Sequence, residues 1–117
     1  MSDMDERTTL IYLLDFYGPL LTPHRQEILR LYCEEDLTLQ EIADELCISR
    51  QGVFEAIHKA REQLTHYEAQ LGLVSRYHRV TESAERCKAA LLNAKDKQDP
   101  SIAEALNAVE TILNVER

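Results

Sequence analysis

The sequence predicts an all-α protein, and three observations support this fold class. Apolar residues recur at intervals of three and four along most of the chain, as they do on one face of a helix. Val, Ile and Thr do not alternate with polar residues as they do in strands. Only three glycines and three prolines occur among the 117 residues, so few turns are expected. A chain of this length suits one domain, or one small domain with an appendage.

Two helices are predicted in the first third of the chain. From Asp5 to Tyr17, apolar residues recur at helical spacing until the pair "GP" ends the pattern. Thr22 can cap a second helix, with Pro23 at its first position, where the N–H that proline lacks would have no partner in any case. The acidic run "EEDL" is expected to end this helix.

The third and fourth helices carry the clearest start signals. Thr38 and Glu41 form a capping box, which predicts a helix from Leu39 to Leu46. Ser49 can cap a fourth helix that ends at Gly72 and is about 34 Å long. Its apolar positions step by four and three alternately: Val53, Ile57, Ala60, Leu64, Tyr67 and Leu71.

Two C-terminal helices complete the prediction of six. After "GLVSRYHR" the same stepping returns at Val80, Ala84, Cys87, Leu91 and Ala94. The polar stretch "KDKQDPS" breaks it, and a last apolar seam follows at Ile102, Leu106, Val109 and Leu113. The seams of the fourth and fifth helices could pack on each other as an antiparallel hairpin or across the two-fold axis of a homodimer. The sequence leaves both arrangements open.

The third and fourth helices have the pattern of a helix-turn-helix, with an ordinary helical hairpin as the alternative. Ala43 is the small residue that lets the two helices cross closely. The apolar residues that would fix their angle are Ile42, Leu46, Ile48, Val53 and Ile57. Cys47 stands in the turn where glycine is common, and a left-handed backbone there is unfavourable for cysteine. The residues predicted to face a partner are Ser49, Arg50, Gln51, Phe54 and Glu55.

Two resemblances follow from these motifs. The stretch "LTLQEIADELCISRQGVFEAIHKAREQL", residues 37–64, resembles the promoter-reading region 4 of sigma factors, particularly the short extracytoplasmic-function type. Residues 13–73 are similar to the YlxM family of small bacterial helix-turn-helix proteins, with the markers "FYGPLLT", "LYCEEDLTL" and "ISRQGVFEAI". This resemblance implies a sigma region 4-like bundle and no enzymatic activity. It also implies a regulatory role in the signal recognition particle pathway, because the family's genes lie beside those for the particle's GTPase or its receptor.

The distribution of charge bears on the partner. Residues 1–75 carry six Lys and Arg against fourteen Asp and Glu, whereas residues 76–97 carry six against three. This basic strip supplies the candidate phosphate contacts, Arg76, Arg79, Arg86 and Lys88, with Tyr77 available to stack on an unpaired base. The alternative interpretation of the strip is a solvated linker followed by an ordinary charged helix face.

The helix-turn-helix itself is acidic, which disfavours duplex DNA. Residues 37–64 hold three basic against five acidic residues, so the electrostatic attraction that dominates non-specific DNA binding is missing. The first hypothesis is therefore a binding module that acts on the signal recognition particle through its GTPase or its RNA. The alternative is a DNA-binding transcriptional regulator that acts as a dimer.

Several other classes are not expected. Cys33, Cys47 and Cys87 stand far apart and should be reduced cytosolic thiols, and the four histidines lack ligand spacing, so neither a metal nor another cofactor is predicted. Motifs for catalysis are missing as well. No apolar run approaches the roughly 18 residues that span a membrane, and the acidic N-terminus does not resemble a signal peptide, so a cytoplasmic protein is expected. The expected domains are a helix-turn-helix domain, 1–75, and a helical extension, 76–117.

Overall fold

In the computed structural model, which describes residues 6–96 and 98–116, six α-helices follow one another, and these residues contain no strand. The side chains of residues 115 and 116 are outside this description, as are Asp5, where the first helix was predicted to start, and Lys97 of the basic strip. A 3₁₀ turn, Gly18–Leu20, follows the first helix. The helices are α1 (Glu6–Tyr17), α2 (Pro23–Cys33), α3 (Leu39–Leu46), α4 (Arg50–Leu71), α5 (Leu73–Leu92) and α6 (Pro100–Glu116). The predicted all-α fold with six helices is confirmed.

Local sequence signals set most of the helix ends. The Thr22 hydroxyl accepts from the Arg25 N–H at 3.2 Å at the start of α2. The Thr38 hydroxyl accepts from the Glu41 N–H at 3.1 Å, and the Glu41 carboxylate accepts from the Thr38 N–H at 2.8 Å. The capping box at the start of α3 is therefore confirmed. Gly72 adopts a left-handed backbone (φ 64°) directly after α4, a conformation that glycine tolerates without a steric penalty.

The described residues form two compact units that divide after Val74. In the N-terminal unit, residues 6–74, α4 packs against α1, α2 and α3. The side chains that are almost completely enclosed include Leu10, Tyr17, Ile28, Leu29, Ile42, Val53 and Leu64. The apolar seam of α4 therefore lies in the core of this unit from Val53 to Leu64. Because the seam is fixed in the core, the opposite face of α4 is exposed to solvent.

The start of α5 differs from the sequence-based prediction. The apolar seam was predicted to return at Val80, but the helix already begins at Leu73. The buried Tyr17 hydroxyl accepts from the Leu73 N–H at 3.0 Å and donates to Glu68 Oε1 at 2.6 Å. The same Glu68 oxygen accepts from the Val74 N–H at 3.0 Å. Two N–H groups at the beginning of α5 thus obtain acceptors from α1 and α4 instead of from a local capping residue.

The C-terminal unit, residues 75–96 and 98–116, has a much smaller core. Ala84, Val109 and Leu113 are buried, and Leu91 packs against them. Lys88 Nζ of α5 and Glu110 Oε2 of α6 form an ion pair at 3.0 Å. Cys87, also predicted to lie on the apolar seam, is exposed.

Candidate recognition site

The turn between α3 and α4 has the geometry that a helix-turn-helix requires. Cys47 ends α3 in a left-handed conformation (φ 59°, ψ 41°), although a side chain at such a position costs about 1–2 kcal/mol. The Ile48 N–H then donates to the Ala43 carbonyl at 3.1 Å. Ile42 and Ala43 are buried, and Leu46 and Ile48 pack against the same core. The helix-turn-helix is confirmed. Its buried apolar contacts offset the free-energy cost of the left-handed backbone at Cys47.

The five residues predicted to face a partner lie together at the start of α4. The Ser49 hydroxyl caps the helix by accepting from the Gly52 N–H at 2.9 Å. Gln51 Nε2 donates to Glu55 Oε2 at 3.3 Å, so this amide is already engaged. Arg50 is exposed and is the one cation among the five. Base contacts from this surface would rest mainly on Arg50, because the other charged member is a carboxylate.

Phe54 presents an aromatic ring on the same face. Its side chain is 52% exposed, and its ring lies parallel to that of His58, with centroids 6.4 Å apart. His58 Nε2 lies 3.5 Å from Glu62 Oε2. The three residues are spaced four apart, which places them in a row along one face of α4. The sequence contains this spacing, but of the three residues only Phe54 was predicted to face a partner.

A groove of about 200 Å³ lies beside this ring. We call it the Phe54 groove, and it is lined by Tyr32, Leu39, Phe54, Ile57, His58 and Arg61. It brings together side chains from three consecutive helices, α2, α3 and α4. Sequence reasoning missed it because helical spacing assigns residues to a face of one helix and does not show which helices meet there.

The cations nearest the Phe54 groove are each close to a carboxylate. Arg61 Nη1 lies 3.8 Å from Glu6 Oε1. Arg7 lies over the Tyr32 ring at 4.7 Å and pairs with Asp36. In contrast, Glu55 and Glu62 have no Lys or Arg partner in the described part of the chain. Two carboxylates close to the groove are therefore not neutralised by an ion pair with Lys or Arg of these residues.

The predicted phosphate contacts lie on α5. Arg76, Arg79 and Arg86 are exposed, and their spacing of three and seven residues puts them on one face of the helix. Arg79 Nη1 donates to Ser75 Oγ at 2.9 Å. Lys88 points away from this face, because two residues correspond to about 200° of rotation, and it pairs with Glu110. The structure thus brings three of the four cations together and separates the fourth.

Cysteines and the other residue types that bind metals do not cluster in the described residues. No three His, Cys, Asp or Glu side chains converge as metal ligands within residues 6–96 and 98–116. All three cysteines are free, and burial raises the pKa of the Cys33 thiol to about 11, whereas Cys47 and Cys87 are exposed. Every helix in these residues is too short or too polar to cross a lipid bilayer.

Two crossing helices, a three-residue turn and a second helix with one exposed face define a helix-turn-helix protein. The chain belongs to the UPF0122 family, whose model is described as "Putative helix-turn-helix protein, YlxM / p13 like" and matches residues 4–105. The resemblance to YlxM proteins is therefore confirmed and extends well beyond residues 13–73. The family description names a fold and no enzymatic activity.

The curated relatives match most of the chain. A UPF0122 protein of Clostridium acetobutylicum is 35% identical over 112 residues, which cover 95% of this chain and 97% of the relative. One from Symbiobacterium thermophilum is 40% identical over 100 residues, or 86% of this chain and 90% of the relative. One from Acetivibrio thermocellus is 49% identical over 74 residues, which cover 63% of each chain. The similarity includes the C-terminal helices as well as the helix-turn-helix.

Proposed function

We propose that this protein is a cytoplasmic helix-turn-helix regulator that acts in the signal recognition particle pathway by binding the particle's GTPase or its RNA. The pathway rests on the resemblance to the YlxM family. The kind of contact rests on one observation: the exposed face of α4 presents Phe54, Glu55 and Glu62, where a duplex-DNA reader needs cations. Residues 1–75 would form the helix-turn-helix domain of this regulator and residues 76–117 its helical extension.

The charges of α3 and α4 support a partner other than duplex DNA. Of the three basic residues in positions 37–64, Arg61 faces Glu6, which leaves Arg50 and Lys59 without an ion pair to a carboxylate of the described residues. A protein that binds DNA through six to ten phosphate contacts needs a comparable number of cations. The acidic face of α4 would repel phosphates, but it would attract a basic protein surface.

An RNA contact is supported by the C-terminal unit. Arg76, Arg79 and Arg86 form a row of exposed cations on α5 that could follow a phosphate backbone. Lys88 contributes less to this surface because Glu110 already neutralises it. The GTPase and the RNA would therefore use different surfaces of the chain.

The second candidate function is a transcriptional regulator that binds DNA as a homodimer. One observation favours it: Arg50 is exposed in the first turn of α4, at the end of the helix that enters the major groove in helix-turn-helix proteins. Gln51 would have to leave Glu55 before its amide could pair with adenine. This candidate therefore depends chiefly on Arg50.

Binding of the full chain to three labelled partners tests both candidates. The partners are signal recognition particle RNA, its GTPase, and a DNA fragment from upstream of the protein's own gene. We expect binding to the RNA or the GTPase. Random 30-mer duplex should bind no more tightly than the roughly 10⁻⁴ to 10⁻⁶ M typical of non-specific contacts. Sub-micromolar affinity for that duplex at about 150 mM salt would overturn the proposal.

Three sets of substitutions identify the surface that is used. Replacing four cations with Glu should abolish an RNA contact and change its salt dependence; they are Arg76, Arg79, Arg86 and Lys88. Replacing Phe54 and Glu55 with Ala should weaken a GTPase contact, because exposed aromatic residues often dominate interface energy. Replacing Arg50 and Gln51 with Ala should weaken binding to DNA only, because each bidentate contact to a base contributes about 1–3 kcal/mol. If wild type binds neither pathway component but does bind the upstream fragment through Arg50, the second candidate replaces the first.

A further inference from the structure

We propose that the Phe54 groove is a docking site for a basic amphipathic helix of a protein partner. An apolar side chain of that helix would enter the groove between Phe54 and Leu39, and its cations would face Glu55 and Glu62. The inference rests on the proposed function, because it specifies the chemistry of the protein that the exposed face of α4 binds.

The dimensions of the groove favour a protein side chain over a small molecule. Its volume of about 200 Å³ is below the roughly 300–1,000 Å³ typical of small-molecule sites. Its lining combines aromatic and aliphatic side chains with those of His58 and Arg61, and Phe54 is 52% exposed. A groove with an exposed aromatic ring and apolar side chains can receive an anchoring side chain of an amphipathic helix.

Charge complementarity identifies the partner as basic. By the rotation of about 100° per residue, Glu55 and Glu62 lie on one flank of the exposed face of α4, and Phe54 lies on the other flank, closer to Arg50 and Arg61. Arg61 is balanced by Glu6, and Arg7 by Asp36, and on the flank of Glu55 and Glu62 the two carboxylates outnumber the one cation, Lys59. Residues 6–74 as a whole contain six basic against twelve acidic residues. This field attracts a cationic protein and repels a polyanion.

The probe is a synthetic amphipathic peptide of Leu and Lys about 14 residues long, which is roughly four helical turns. Its binding to the full chain is measured by fluorescence anisotropy. Two matched peptides separate the contributions: one replaces every Lys with Glu, and the other replaces every Leu with Ala. We expect each replacement to weaken binding at least about tenfold, because the site requires both cations and an apolar anchor.

Variants of the full chain locate the site. Phe54→Ala should weaken peptide binding at least about tenfold. Leu71→Ala, which truncates a 57% exposed side chain on the same helix, should leave it unchanged. Glu55→Gln with Glu62→Gln should weaken binding and reduce its salt dependence, whereas Asp15→Asn, an exposed acid of α1, should have a much smaller effect. Circular dichroism confirms that each variant retains the helical fold.

The outcomes separate this inference from the proposed function. Equal binding of the Lys and Glu peptides, or an unchanged affinity of Phe54→Ala, would overturn the docking site. If the pathway's GTPase binds wild type and Phe54→Ala equally, the proposed function stands and the docking site is wrong. If neither the GTPase nor the RNA binds wild type, while the peptide binds in a Phe54-dependent manner, the docking site stands and the pathway assignment is wrong.

Discussion

The N-terminal and C-terminal units are built from helices with the same apolar spacing, yet they bury very different amounts of apolar surface. Among the described residues, sixteen side chains are buried in the N-terminal core and three in the C-terminal core. The seam of α4 meets three other helices, so each of its apolar positions from Val53 to Leu64 is enclosed. Along α5 the same stepping leaves Cys87 exposed. Periodicity therefore predicts which face of a helix is apolar, whereas the number of helices that cover this face determines its burial.

The strongest way to test the N-terminal core is Ile42→Asp. Ile42 is fully enclosed between α3 and its neighbours, and an unpaired charge there should cost several kcal/mol of a total stability of about 5–15 kcal/mol. We expect the cooperative thermal transition in far-UV circular dichroism to be lost or strongly lowered. Glu45→Asp on the exposed side of α3 serves as the control. An unchanged midpoint for Ile42→Asp would show that Ile42 is exposed in solution.

A matched pair of leucine truncations measures the difference between the units directly. Leu64→Ala in the N-terminal core should cost about 2–5 kcal/mol in free energy of unfolding. Leu113→Ala should cost about 2 kcal/mol or less, because fewer side chains surround it and the site can collapse. Urea denaturation of the two variants gives both values. Equal losses would contradict the comparison, because they would mean that Leu113 is packed as tightly as Leu64.

Tyr17→Phe tests the non-local cap at the start of α5. The substitution keeps the ring, which packs 5.9 Å from that of Tyr67, and removes the hydroxyl that serves both Leu73 and Glu68. We expect a loss of about 1–3 kcal/mol in free energy of unfolding, because a partly buried N–H loses its acceptor and Glu68 loses a donor. Tyr32→Phe, which removes a hydroxyl outside this network, should change stability by less than about 0.5 kcal/mol. Similar losses in the two variants would contradict the role of the cap.

The same hydroxyl makes stability depend on alkaline pH. Burial, followed by the hydrogen bond to Glu68, raises the pKa of Tyr17 above its ordinary value of 10.0. The folded state therefore favours the neutral phenol, and the resulting stabilisation is complete below about pH 10 and is lost as the pH rises through the folded-state pKa. Urea denaturation at a series of alkaline pH values should show a shallower decline for Tyr17→Phe than for wild type.

The smallest expected effect concerns the polar contact of the C-terminal unit. Lys88→Ala removes the 3.0 Å ion pair with Glu110, in which both side chains are partly exposed. We expect a loss of about 0–1 kcal/mol that shrinks at high salt. Lys95→Ala, at an exposed position, is the control for the change in net charge. A loss above about 2 kcal/mol would mean that this pair, and not the small apolar core, holds α5 and α6 together.

The features that sequence analysis predicted correctly are local ones. The starts of α2 and α3 depend on residues within three positions of each other, Thr22 with Pro23 and Thr38 with Glu41. Spacing in the sequence was therefore sufficient to predict these starts. The backbone at Cys47 was harder to predict, because its left-handed conformation is unfavourable for the residue itself. The buried contacts of the flanking helices impose it nonetheless.

The features that sequence analysis missed are long-range contacts. Tyr17 and Leu73 are separated by 56 positions, so the start of α5 could not be predicted from the residues around it. The pairing of Lys88 with Glu110 likewise required knowledge of how α5 meets α6. The residues at the start of α4 were found from the motif, but the Phe54 groove also needs Tyr32 and Leu39 from two other helices.

The cap formed by Tyr17 and Glu68 has a consequence for synthesis on the ribosome. Both residues precede Leu73 and Val74, so the acceptors are translated before the N–H groups that need them. The four helices of the N-terminal core also precede this junction. As the chain emerges from its N-terminus, these helices can fold first and then hold the first turn of α5 as it leaves the exit tunnel. Nascent chains arrested shortly after residue 74 has emerged should therefore already resist proteolysis in residues 6–74.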